Sequence, residues 1–224
     1  MVIIQELVAP PIAGFFGDHT PYKIDEESKA FLTEMKKAGF SFWLSSEDTG
    51  PTKNHVNSTA SEWWIVFYKR TKIHCDSSRY FGFVSQPLVA NPNQDRVSYV
   101  FPFKTVKGNS TFSVIPVHLN PGDTKEDYAR RQVEFSYLFN WTKKQPEKNK
   151  DFFVLGDCNI YESSEFLHFK SLDFYSLNEK CKFTNTKIYE SKEKGKPYDH
   201  DDFRTKYSDH LPVVFQLITG KDTD

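Results

Sequence analysis

The chain is short of most features that would settle its class at a glance. No apolar run approaches the roughly 18 residues a membrane-spanning helix needs. The opening "MVIIQELVAP" has no basic start and too short an apolar stretch for a secretory signal peptide, which leaves localisation open. There are only three cysteines, Cys75, Cys158 and Cys181, and no CxxC pair. That excludes a zinc ribbon and a thioredoxin-like redox site. The odd count leaves at least one thiol free, and buried thiols are the plain expectation beside a single disulfide. No basic block exists either: 29 Lys and Arg stand against 30 Asp and Glu, for a net charge of −1. A nucleic-acid partner would therefore need a local site rather than a charged tail. A bound divalent cation would add positive charge that such a count misses.

Repeats, low-complexity tracts and linkers are absent as well, so the 224 residues read as one domain spanning 1–224. What is abundant is aromatic: 21 Phe and 11 Tyr, with aromatics at 16%, argue for a large packed core and against disorder.

Along the chain, "VII" (2–4) reads as a short buried strand ending at Gln5 and Glu6. A Pro- and Gly-rich loop follows, then a helix over about 25–37 with Phe31, Leu32, Met35 and Ala38 at helical spacing and Gly39 placed to end it. Strands are expected at 40–45, 62–70, 97–103 and 112–119, the last two joined by a Lys-Gly-Asn turn. Thr124 with Asp127 three residues on is a capping-box pattern opening a long helix, its inner face assigned to Tyr128, Val133, Leu138 and Trp141. A strand at 152–155, a short helix containing Phe166 and Phe169, and a closing strand at 211–218 complete a mixed α/β pattern.

Polar residues gather where these strands stop: Glu6, His118, Asp157 with Asn159, and Asp209 with His210. Strand ends at one edge of a sheet can converge on one pocket, the usual place for chemistry in α/β folds. "GDCN" alone reads as well as a turn. "SDHLP" weighs differently, because a fixed five-residue string arises by chance in about one chain in ten thousand of this length.

The ordered set "IIQE" (3–6), "SEWWIVFYKR" (61–70), "DRVSYVFPF" (95–103), "VIPVHLN" (114–120), "LGDCN" (155–159), "KPYDH" (196–200) and "YSDHLPV" (207–213) resembles the endonuclease/exonuclease/phosphatase superfamily, the fold of deoxyribonuclease I. The resemblance implies a four-layer α/β/β/α sandwich of two packed mixed sheets with helices outside, here lacking the first strand. It also implies phosphodiester hydrolysis with Mg2+, or with Mn2+, and Ca2+ allowed as a structural ion. Hard oxygen ligands suit such ions, which take few protein carboxylates.

On this resemblance Glu6 and Asp157 match metal-binding carboxylates, and Asp157 is also the residue that orients or deprotonates the attacking water. Asn159 matches the amide that binds phosphate and positions Asp157. His118 and His210 match the histidines flanking the scissile phosphate, with Glu62 and Asp199 as their orienting carboxylates. Asp209 matches a metal-associated carboxylate, and Arg96 a phosphate-contacting arginine. His19, His55, His74 and His168 match no motif and read as surface residues. Only nine residues separate Asp199 from Asp209, where relatives usually carry an extra strand.

DNA is the substrate expected, from the similarity of "QELVAP" and "KPYDH" to bacterial deoxyribonuclease I-like proteins, with a monomer as the expected state. Ile160 and Tyr161 depart from the small residue and His of abasic-site enzymes. The alternatives are a lipid or small-molecule phosphodiesterase, with "PPIAGFFGDH" (10–19) as its apolar loop, and a catalytically dead binding protein of the same fold.

Overall fold

In a computed structural model of the chain, the structure describes residues 1–16, 19–49, 61–85, 93–146 and 151–172. These residues lie within one compact unit that takes in Met1–Leu172. The strand expected at 211–218 falls outside them.

The elements in chain order are β1 (Val2–Leu7), β2 (Gly14–Phe15), β3 (Pro21–Tyr22), α1 (Glu26–Lys37), β4 (Ser41–Leu44), β5 (Trp63–Tyr68), β6 (Ile73–Cys75) and β7 (Gly82–Phe83). After these come β8 (Tyr99–Thr105), β9 (Thr111–His118), α2 (Lys125–Lys143), β10 (Phe152–Asp157) and α3 (Ser163–Ser171). β2 to β3, β6 and β7 were not expected, since strands of two or three residues carry no readable periodicity.

The first sheet is antiparallel, in the order β1-β5-β4. Every residue of the central β5 is buried, and period-2 alternation divides its side chains between two faces. Ile65 and Phe67 pack with Leu32 of α1, joined by Ile4, Leu7, Met35, Phe40, Phe42 and Leu44. On the opposite face the Tyr68 ring lies 5.3 Å from Phe103, and Trp64 Nε1 donates to the Val97 carbonyl at 2.8 Å. That face therefore meets the second sheet, and emptying it at a residue as buried as Trp64 would cost about 3–5 kcal/mol.

The second sheet runs β10-β9-β8-β6, with β7 paired to β8. β8 and β9 form a hairpin whose turn carries Gly108 and Asn109 at φ 91° and 62°, a left-handed conformation those residues tolerate. β9 and β10 are parallel, so α2 is the crossover that two parallel strands require. Register places Phe103 opposite Phe112, Phe101 opposite Val114, and Val114 beside Phe153, so these side chains share the face turned to the first sheet. The other face takes α2, through the Trp141 ring 5.8 Å from Phe152, and α3 stacks on α2 through Phe135 and Phe169 at 4.0 Å. The result is an α/β sandwich in four layers: α1, the first sheet, the second sheet, then α2 with α3.

Both long helices start where the sequence sets them. The Asp25 side chain accepts from Ser28 N at 2.7 Å, and Thr124 with Asp127 forms the reciprocal capping box. The inner face of α2 needs correction. Its buried residues are Arg131, Glu134, Phe135, Leu138 and Thr142, whereas Val133 is 45% exposed. Leu138 is buried and Trp141 packs on Phe152 as expected, but two of the five buried residues carry charge, which apolar spacing alone does not show.

Candidate active site

Alternation along the strands carries three polar side chains into the seam between the sheets. Glu62 stands just before β5, in phase with Trp64 and Tyr68. His118 ends β9 in phase with Phe112 and Val114, and Asp157 at the end of β10 is its register partner. There the Glu62 carboxylate bridges two elements. Its Oε2 lies 3.0 Å from His118 Nδ1, and its Oε1 accepts from Arg96 Nε at 2.5 Å. All three side chains are largely buried. Burial would raise the Glu62 carboxyl, but the hydrogen bond and charge of His118, and then Arg96, outweigh it and leave the group below the ordinary carboxylate range. Pairing at Nδ1 fixes the imidazole's orientation and turns Nε2 toward Glu6.

Glu6 reaches the same place by a break in the ladder. Ile4 pairs with Ile65 but Leu7 pairs with Trp63, so β1 spends one more residue than β5 over this stretch. Strict alternation would point Glu6 with Ile4 toward α1. The bulge, with Glu6 at φ 57°, re-aims it. Its carboxylate is 58% exposed, with Oε1 3.9 Å from His118 Nε2.

The turn after β10 is tied through Asn159. Asn159 N donates to Asp157 Oδ1 at 2.8 Å, which orients the carboxylate, and Asn159 Nδ2 donates to the Leu119 carbonyl at 2.8 Å. Asn159 sits at φ 46°, which asparagine tolerates better than most residues. Gly156 is demanded twice over: φ is 146°, and a Cβ there would lie 2.0 Å from the Val117 carbonyl oxygen. The Cys158 thiol is pushed up to about 12, first by burial and then by the Asp157 charge, so it is no nucleophile at neutral pH. Cys75 and Cys158 are both free thiols, and Cys181 lies outside the described residues.

Glu6, Glu62, Arg96, His118, Asp157 and Asn159 therefore gather at one end of the seam. Asp199, Asp209 and His210 lie outside the described residues. Arg96, expected to contact phosphate, spends its Nε on Glu62. No group of three metal-capable side chains occurs among the described residues. Glu6 still offers the hard, exposed carboxylate oxygen that Mg2+ accepts alongside water.

Three residues with no assigned role prove central to the geometry. Gln5 ties the sheets together: its Nε2 donates to the Val117 carbonyl at 2.5 Å and its Oε1 accepts from Asp157 N at 3.0 Å. Arg131 forms a buried two-point pair with Glu165, at 2.7 and 3.0 Å, and also donates to the Asn120 and Gly122 carbonyls. Glu134 accepts from Asp95 N and Asn120 N at 2.9 and 2.8 Å. Spacing of Arg131, Glu134 and Leu138 on one helix face was the available signal, had charged residues been admitted as buried ones.

No family model and no curated protein matches the chain. Among solved structures it is similar to the human Nocturnin catalytic domain, at 13% identity and a TM-score of 0.46, over 66% of this chain and 53% of that one. An endonuclease/exonuclease/phosphatase family protein from Bacteroides thetaiotaomicron is similar at 19% identity and a TM-score of 0.44, over 64% and 50%. A humanized D. rerio TDP2 is similar at 11% identity and a TM-score of 0.44, over 75% and 55%. The chain thus matches about half the length of each of these structures.

Proposed function

We propose that the chain is a metal-dependent phosphodiesterase that cleaves the DNA backbone by in-line attack of water. The observation that carries this reading is the buried Arg96–Glu62–His118 relay, which opens toward Glu6 and stands beside Asp157 and Asn159. Such a set supplies what phosphodiester hydrolysis needs: an oriented imidazole to donate to a phosphate oxygen, and a carboxylate, held by the Asn159 backbone N–H, to take a proton from water.

In this reading Asp157, oriented by Asn159 N, accepts the proton of the attacking water. His118, braced at Nδ1 by Glu62, presents Nε2 to the phosphate. Glu6, with Asp157 and Asp209 as the further expected ligands, would hold Mg2+ or Mn2+, which when bound neutralises phosphate charge. His210 with Asp199 would serve as the second imidazole and its carboxylate. DNA would be gripped through phosphates rather than through base edges.

A lipid or small-molecule phosphodiester is the second reading. Its support is the exposed Phe15 (68%) and Val8 (74%) in the segment that follows Glu6. Plasmid nicking in Mg2+, Mn2+ or EDTA tests the first, with His118→Ala and Asp157→Ala alongside. Metal-dependent nicking abolished by both substitutions is the expected result. A folded sample silent in every metal would remove the nuclease reading and direct the assay to lipid and phosphomonoester substrates.

A further inference from the structure

We infer that Glu134 is a positioning residue of this site, fixing the loop that carries Arg96 and the loop that follows His118 so that the Arg96–Glu62–His118 relay stays in register. Its catalytic consequence rests on the phosphodiesterase reading above.

Glu134 projects from α2 and is only 1% exposed, and each of its carboxylate oxygens is given to a different loop. Oε1 accepts from Asp95 N, immediately before Arg96, at 2.9 Å. Oε2 accepts from Asn120 N, two residues after His118, at 2.8 Å. The second loop reaches further into the site, because Leu119 N donates to the Asp157 carbonyl at 2.9 Å and the Leu119 carbonyl accepts from Asn159 Nδ2. One carboxylate therefore stands one peptide away from groups that hold Arg96, Asp157 and Asn159.

The neighbours on α2 grip the same loops. Arg130 Nη2 pairs with Asp95 Oδ1 at 2.6 Å, and Arg131 Nη1 donates to the Asn120 carbonyl at 3.1 Å. The two carboxylate oxygens of Glu134 let one side chain accept from a backbone N–H of each loop at once. Burial pushes the Glu134 carboxyl up in spite of those two donors. Arg130 Nε stands 4.0 Å from Glu134 Oε1 and offsets part of that burial, whereas an apolar residue would fill this helix face with no polar group to satisfy. Misplacing a reacting group by an ångström can lower a rate about 100-fold, so the precision of these loops matters to chemistry.

The test compares Glu134→Gln with Leu138→Ala, a cavity-forming change at a fully buried residue of the same helix whose side chain has no hydrogen-bonding group to lose. Two readouts are taken: steady-state kinetics on a phosphodiester, and the hydrogen-bonded Nδ1 proton of His118 by NMR, assigned by its loss in His118→Ala. Glu134→Gln is expected to lower kcat about 10- to 100-fold with KM within about twofold, and to broaden or erase the Nδ1 proton signal. Leu138→Ala is expected to lower Tm at least as much while keeping both readouts at temperatures where it is folded. If Glu134→Gln does not fold, Glu134→Asp, which keeps both acceptors but shortens the reach, is expected to show the same losses.

An unchanged Nδ1 signal in the Glu134 variant overturns the inference. So does a Leu138→Ala protein that reproduces the losses at equal folded fraction. If the wild type cleaves no phosphodiester, the functional reading fails by itself, and the NMR comparison still decides whether Glu134 sets the relay.

Discussion

Replacing Gly156 by alanine puts a methyl carbon 2.0 Å from the Val117 carbonyl oxygen and 2.9 Å from Gln5 Nε2, on a backbone held at φ 146°. Two costs add. The dihedral is one that glycine alone adopts readily, worth about 1–3 kcal/mol. The clash is with backbone in a parallel strand pair that cannot rotate away, and overpacking of this kind costs about 1–3 kcal/mol more. A total of about 2–6 kcal/mol corresponds to a Tm lowered by about 5–20 °C for a chain of this size. Gly39→Ala separates the terms, because Gly39 has φ 80° and nothing within 4 Å of its built Cβ. It should lose only the left-handed penalty, about 1–2 kcal/mol. Urea unfolding of the three proteins, read at constant m, measures both differences. Equal losses at the two glycines would refute the steric argument. A loss at Gly156 larger than that at Gly39 by more than the roughly 1 kcal/mol that their dihedrals can differ would show that the approach of β10 to β9 sets the residue before Asp157.

Glu165→Ala leaves the Arg131 guanidinium buried without its carboxylate, and breaking such a pair costs about 3–5 kcal/mol. The urea midpoint should fall accordingly, and a change below about 1 kcal/mol would show that the backbone carbonyls of Asn120 and Gly122 satisfy Arg131 alone. Glu62 sets a pH dependence whose sign is fixed by the lowered folded carboxyl. Its contribution is complete above the ordinary carboxylate pKa of about 4.3 and is lost as pH falls through the depressed folded value. Tm measured from pH 7 downward should therefore converge for wild type and Glu62→Gln at the acid end. A gap that stays constant would contradict the pairing.

Much of the scaffold and part of the site were legible along the chain because they follow from local rules. The unbroken apolar, aromatic-rich runs within 62–70 and 97–103 read as buried strands and are found as β5 and β8, and the Thr124–Asp127 box opens α2 where its spacing says. The Gly-Asp-x-Asn string encodes its own turn, since Gly156 and Asn159 are the residue types that accept positive φ. Period-2 phase even sets Glu62 and His118 on facing walls once two sheets are assumed.

Other features belong to tertiary structure alone. Glu6 would point to α1 on strict alternation, and only the unequal pairing of β1 with β5 turns it to His118. Gln5, Arg131 and Glu134 carry no local sign of their burial, because polarity is a local property whereas burial depends on partners far away in sequence. Gln5 finds Asp157 from 152 positions away and Arg131 finds Glu165 from 34. A sequence specifies such groups through the fold that brings their partners within hydrogen-bond reach, and until that fold exists a buried charge and an exposed one look the same.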